Sequence, residues 1–158
     1  LNGERTPVDD HTVRAGWYNL SLSSTRADQI RAVLEGVACN SRWLLETVEK
    51  FVGRPFDGLN FIGGGANSDL WCQIHADVMN TEIRQVENPI RANARGAALL
   101  AALARGETTV EEISSSVAIT ATYRPRPAHR DTYDRLYKAF RSVYKNNRRM
   151  YSKLNRDA

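Results

Sequence analysis

Residues 59–71 read Leu-Asn-Phe-Ile-Gly-Gly-Gly-Ala-Asn-Ser-Asp-Leu-Trp. A short apolar run enters three consecutive glycines and leaves through Asn67 and Ser68 into an amphipathic segment. The pattern predicts a strand, a glycine turn and a helix start. A turn without side chains lets backbone N–H groups approach a ligand, and a helix N-terminus favours negative charge. The turn is not Gly-x-Gly-x-x-Gly, because the third glycine would fall at Ser68, and it lacks the Lys-Ser/Thr of a P-loop. Taken alone it leaves three readings open: a structural tight turn, a nucleotide contact, or a dinucleotide fold.

Upstream, 26–52 carries Ile30, Val33, Leu34, Val37, Ala38, Ser41, Leu44, Leu45, Val48, Phe51 and Val52 at helical spacing, which predicts one broad buried face. Thr25 and Asp28 make a capping box, and Gly53 and Pro55 stop the helix. Residues 1–24 read as loop, with Trp17, Tyr18, Leu20 and Leu22 expected to dock on the core. Downstream, 81–86 reads as a second strand, weakened by Glu82, Arg84 and Gln85. Asn88 and Pro89 then supply an N-cap and an N1 proline. The helix that follows, to about 105, has a face of Ala94, Gly96, Ala97, Ala98, Ala101 and Ala102, so close packing on a neighbour is expected. A short helix at 110–115 and an extended segment at 117–123 precede a last helix from His129, with Tyr133, Leu136, Tyr137, Phe140, Val143 and Tyr144 on one face. That helix is expected to fray into the tail. The segmentation is therefore loop at 1–24, an α/β body at 25–127, and a helix with basic tail at 128–158, all part of one domain. The strand–helix–strand unit at 59–86 should be parallel, and more strands are expected upstream.

The bulk numbers suit a soluble globular domain: 158 residues, 42% hydrophobic and 25% charged. No apolar run approaches a membrane span, and no signal peptide is visible. The chain lacks an initial Met and reads as an excerpt. Of its net +4, residues 141–158 contribute +5, from six Lys/Arg and one acid. Tyr144 and Tyr151 interleave with these cations, as a stacking surface would. Cations on the wet face of a terminal helix are nonetheless commonplace, so neither nucleic acid nor membrane is expected as a partner. Cys39 and Cys72 lack metal or disulfide spacing and read as buried thiols in a reducing cytosol. His11, His75 and His129 are scattered. Asp9 and Asp10 either hold a cation or cap a turn. No metal ligand set is expected.

An ordered set of segments resembles the carboxy-terminal domain of the FGGY carbohydrate kinases, nearest the xylulose kinase branch. It starts with Leu1-Asn2-Gly3-Glu4-Arg5-Thr6-Pro7, Asp10 and Arg14-Ala15-Gly16, then Leu20-Ser21-Leu22 and the run from Arg31 through Ala38. Gly63-Gly64-Gly65-Ala66-Asn67-Ser68 follows, then Leu70-Trp71-Cys72-Gln73, Ala76-Asp77-Val78 and the run from Arg95 through Ala101. The resemblance implies an actin-like, ribonuclease H-like α/β fold, present here as a C-terminal part with an incomplete sheet. It implies a cytoplasmic kinase that transfers the γ-phosphoryl of ATP, with magnesium, to a sugar hydroxyl, such as that of the pentulose xylulose. Gly63 and Gly64 match the glycine pair lying against the adenosine part of ATP. Gly65, Ala66 and Asn67 complete the turn, and Ser68 falls where several relatives carry an Asn that contacts adenosine. Relatives usually read Arg-Gly where this chain has Arg14-Ala15-Gly16. The family's catalytic aspartate lies upstream of the chain, so no catalytic residue is assigned and the fragment alone is expected to be inactive. The nucleotide-contact candidates are Gly63, Gly64, Gly65, Asn67 and Ser68. The partners implied are ATP, a sugar, the missing N-terminal lobe and a second copy covering the open sheet edge. The alternative is a truncated, non-catalytic nucleotide-binding or interaction module.

Overall fold

The computed structural model describes residues 3–156; Leu1 and Asn2 of the first quoted segment, and Asp157 of the tail, lie outside them. The elements are α1 (Arg26–Val52), β1 (Gly58–Phe61), α2 (Asp69–Met79), β2 (Glu82–Val86), α3 (Ala92–Ala104), α4 (Val110–Ser115), β3 (Ile119–Tyr123) and α5 (Arg130–Asn155). Short 3₁₀ turns lie at Gly64–Asn67, Pro89–Arg91 and Pro127–His129. Backbone contacts group the chain into two compact units. One runs through Pro55 and resumes at Arg126; the other is Phe56–Pro125. The long helix α1 is thus grouped with α5 and not with the strands.

In the first unit, Thr25 and Asp28 close the capping box: the Asp28 N–H donates to Thr25 Oγ1 at 3.2 Å, and the Thr25 N–H to Asp28 Oδ2 at 2.9 Å. Gly53 ends α1 in the left-handed region. Helix α5 does not fray; it stays helical to Asn155, and its shielded positions include Tyr133, Asp134, Tyr137, Phe140, Val143, Tyr144, Asn147, Tyr151, Ser152 and Asn155. Steps of three and four set them along one seam of the helix. Leu136 is left outside it, 43% exposed.

A tyrosine buries its ring only if its hydroxyl finds a partner. Tyr133 donates to Glu35 Oε1 at 2.9 Å and accepts from Arg31. Tyr137 donates to Glu46 Oε2 at 2.7 Å. Tyr144 donates to Asp10 Oδ2 at 3.2 Å, and Tyr151 shares a 2.6 Å bond with Tyr18. Arg42 lies over the Tyr137 ring at 4.3 Å and pairs with Asp134 at 2.7 Å. These demands turn the Arg31–Glu35–Glu46 flank of α1 toward α5. The expected apolar face is therefore buried only in part, at Ala38 and Leu45. Ala38, Cys39 and Leu45 are buried, while Ile30, Val33, Val37, Leu44, Val48 and Phe51 are exposed. The end of the N-terminal loop is likewise tied by polar atoms and not by burial. Trp17 Nε1 donates to the Gln29 carbonyl at 3.3 Å, whereas Trp17, Leu20 and Leu22 stay exposed.

In the second unit the sheet order is β1-β2-β3, with β1 parallel and β3 antiparallel to β2. The parallel pairing matches the expected strand–helix–strand unit. Helix α2 buries Cys72, Ile74, His75, Ala76, Asp77, Val78 and Met79, and β2 buries Ile83 and Val86. Each large aliphatic fully buried there stabilises by roughly 1.5–3 kcal/mol. Two expectations fail. Asn88 makes no side-chain cap bond and sits at φ 48°, so Pro89 begins a 3₁₀ turn and α3 starts only at Ala92. The small-residue helix α3 buries none of its residues, and a Cβ on Gly96 would meet nothing within 4 Å. Small side chains permit close approach but do not specify what approaches.

His75 is buried, with Nδ1 2.9 Å from the Trp71 carbonyl and its ring 4.5 Å from that of Phe61. A carbonyl only accepts, so Nδ1 carries the proton of a neutral imidazole. Burial holds its pKa below the ordinary 6.5. The unfolded chain then binds a proton that the folded chain refuses, so stability falls as pH drops through about 6.5 toward the lower folded value. The urea midpoint of the parent should fall more between about pH 7 and 5.5 than that of His75→Gln. Equal slopes would show that His75 does not carry the effect.

Candidate functional site

The glycine turn is built from three different requirements. Gly63 has φ 85° and ψ −177°, a region essentially reserved for glycine, so the chain can leave β1 this way only without a side chain. At Gly63 and Gly64 an added Cβ would meet no atom within 4 Å, so backbone is presented to open space. At Gly65 the Cβ would lie 2.6 Å from the Trp71 ring. Gly65 is thus turned inward, under an aromatic group in which Trp71 neighbours Phe61 at 6.5 Å and His75 at 5.5 Å.

The chain does not pass directly from the glycines into α2. Ala66 N–H bonds the Gly63 carbonyl at 3.2 Å and Ser68 N–H the Gly65 carbonyl at 3.1 Å, closing the 3₁₀ turn. Ser68 is the N-cap of α2, its Oγ accepting from Trp71 N–H at 3.3 Å. The hydroxyl keeps its own hydrogen to donate. With Ser68 capping and Asp69 acidic in the first turn, the start of α2 is already compensated and disfavours a phosphate. Asn67 is exposed and borders a cavity of about 340 Å³, shared with Asn88, Pro89, Arg91 and Thr120. That volume lies at the low end of the range for small-molecule sites. Neither open glycine lines that cavity; Gly63 reaches its border through a bond to the Pro89 carbonyl. For magnesium the fit is poor: Asp69 Oδ1 already accepts from Tyr123 at 2.8 Å, and among the described residues no three His, Cys, Asp or Glu side chains gather around one point.

Two clamps hold the turn. Gly63 N–H donates to the Pro89 carbonyl at 2.8 Å. The carbonyl of Ala66, a fully buried residue, accepts from Gln85 Nε2 at 2.6 Å. Burial and the bond to Asp69 push the Tyr123 phenol up to about 12. Reading the sequence missed Gln85, Tyr123 and Pro89 as parts of this site. The signal was present as polar residues in a short strand, where each needs a partner.

The other singled-out groups have structural duties. Cys39 and Cys72 are buried, and burial pushes their thiols up to about 12 and about 11, away from nucleophilic use. Asp10 caps a turn, accepting from Thr12 N–H at 3.0 Å and from its hydroxyl at 2.6 Å. Tyr151 is buried and Tyr144 engages Asp10, so neither ring forms an open stacking face for nucleic acid. No helix of the described residues is long and apolar enough to cross a membrane.

Comparison with known proteins gives the family. Residues 1–105 match the model of the FGGY family of carbohydrate kinases, C-terminal domain. The chain is 29% identical over 156 residues to a xylulose kinase of Staphylococcus epidermidis, covering 98% of the chain and 31% of that protein. It is 31% identical over 144 residues to a glycerol kinase of Enterococcus faecalis, covering 90% of the chain and 28% of that protein. The solved structure of a ligand-bound xylulose kinase from Lactobacillus acidophilus superposes with a TM-score of 0.84 at 25% identity, over 96% of this chain and 31% of that one. The chain thus spans less than a third of the length of these relatives. With the family model matched over two thirds of its length and the fold shared, the chain belongs to the FGGY family of carbohydrate kinases, as part of the C-terminal, actin-like α/β domain.

Proposed function

We propose that this chain is the nucleotide-holding portion of an ATP-dependent carbohydrate kinase whose substrate is a pentulose such as xylulose. The single observation that carries the reading is the pair of open glycines. In a chain of this family, Gly63 and Gly64 leave the exit of a strand without side chains, and Gly63 N–H is bonded to the carbonyl of Pro89, which borders the polar cavity. On this reading the ribose and adenine pass over Gly63 and Gly64. Asn67 borders the cavity that takes the ligand, Ser68 offers its remaining hydroxyl hydrogen, and Gly65 keeps Trp71 seated beneath the turn. Magnesium, when bound, neutralises the phosphate oxygens; it would be held on those phosphates and by groups outside the turn. The xylulose kinase relatives favour a pentulose, and the glycerol kinase relatives mark the shorter polyol as the competing substrate. The two buried cysteines suit a cytoplasmic enzyme.

Phosphoryl transfer rests on positioning and electrostatic stabilisation from both sides of the transferred group. The chain on its own is therefore proposed to bind nucleotide without turning it over. Incubating the intact protein with ATP, magnesium and a panel of ketoses and polyols should give sugar-dependent ADP release, fastest with a pentulose. No release with any member of the panel would end the kinase reading.

The neighbouring glycines should respond in opposite ways. A side chain at Gly64 enters empty space, so Gly64→Val should leave the unfolding midpoint nearly unchanged and weaken ADP binding roughly tenfold or more through lost contact with the backbone. Gly65→Ala meets the Trp71 ring and should destabilise by about 1–3 kcal/mol, the usual range for an overpacked interior. Calorimetric titration and urea unfolding of both variants check this. Tight ADP binding by Gly64→Val would place the nucleotide elsewhere.

A further inference from the structure

We infer that Gln85 is the positioning residue of the nucleotide turn, fixing through Ala66 the backbone that Gly63 and Gly64 present. The inference rests on the reading of that turn as the nucleotide contact. Its basis is a side-chain amide whose nitrogen has two acceptors within reach, one of them the Ala66 carbonyl. The Ala66 carbonyl and Asp69 Oδ1 can only accept, and they stand 2.6 Å and 3.3 Å from Gln85 Nε2. The Tyr123 and Thr120 hydroxyls face Oε1 at 3.3 Å and 3.4 Å. The two ends of the amide therefore cannot be exchanged: the nitrogen has two acceptors before it, and the oxygen faces two hydroxyls whose single hydrogens also reach Asp69 Oδ1 and the Gln85 carbonyl.

The strand arrangement serves the same contact. Gln85 lies on β2, the middle strand, whose backbone is held from both sides. The β2–β3 register shifts between Gln85 and Val86, with Ala121 opposite the first and Ile119 opposite the second. Thr120 is the extra residue of this bulge, and its hydroxyl reaches both the Gln85 carbonyl at 3.2 Å and the Gln85 side chain. A bulge re-aims side chains beside it. Here it makes β3 the support of Gln85, and Gln85 the support of the turn.

Glutamine suits this place where its relatives do not. Methionine has similar length but leaves the Ala66 carbonyl without its short bond. Asparagine lacks one methylene of the reach. Glutamate would set a carboxylate against a carbonyl and against Asp69.

The test compares Gln85→Met and Gln85→Asn with the parent, in the intact protein. The measurements are ADP affinity by calorimetry, sugar KM and the thermal midpoint. Gln85→Met and Gln85→Asn should weaken ADP binding roughly fivefold, the worth of one hydrogen bond, with sugar KM unchanged. If Gln85→Met does not fold, Gln85→Asn decides. Unchanged ADP affinity in the Gln85 variants overturns the inference. So does a matching rise in sugar KM, which would mark a merely structural network. A parent that binds no ADP overturns the reading of the turn together with this inference, whereas a parent that binds while the Gln85 variants match it overturns this inference alone.

Discussion

The Ala66 carbonyl lies in a fully buried residue at the centre of a four-residue turn, and its short bond to Gln85 is what the second unit is arranged around. A buried carbonyl without a partner is costly, so a turn that buries one must bring a donor to it. The donor comes from the middle strand, which is itself paired on both sides. From this one bond follow the polar residue in β2, the bulge that places Thr120, the phenol of Tyr123 on Asp69, and the fixed course of the chain through Gly63 and Gly64. The second clamp, from Gly63 N–H to the Pro89 carbonyl, holds the other end.

The first unit follows a related rule by other means. Its two long helices meet through tyrosines, and every tyrosine hydroxyl on the α5 seam has an oxygen partner within the unit. Satisfying those hydroxyls selects which flank of α1 faces α5. The apolar stripe from Ile30 to Phe51 is left on the surface as a result. In both units, where the polar groups go decides the arrangement, and apolar burial follows it.

That rule explains how much could be read from the residues beforehand. Helix periodicity, the Thr25–Asp28 box, the Gly53 stop and the parallel β1–β2 pairing are local, and all were legible. The family was legible too, because its segments recur in order. What failed was the direction of faces. The apolar face of α1 is buried only at Ala38 and Leu45, because periodicity reports a stripe and not its partner. The alanines of α3 were expected to pack closely, but small side chains carry no address. Tyr151 belongs in the sequence to a solvated cationic face, and in the structure its hydroxyl is paired with Tyr18. Gln85 was read as a weakness of its strand, since a single sequence does not display the carbonyl it serves.

The central claim is that the open backbone of Gly63 and Gly64 is where nucleotide meets this chain. Titration of the ¹⁵N-labelled protein with ADP, followed residue by residue through its backbone amides, tests it most directly. The largest shifts should fall on Gly63, Gly64 and Asn67, with Tyr144 and Tyr151 unmoved. Shifts centred on the cationic end of α5, or none at the glycines under saturating ADP, would contradict it.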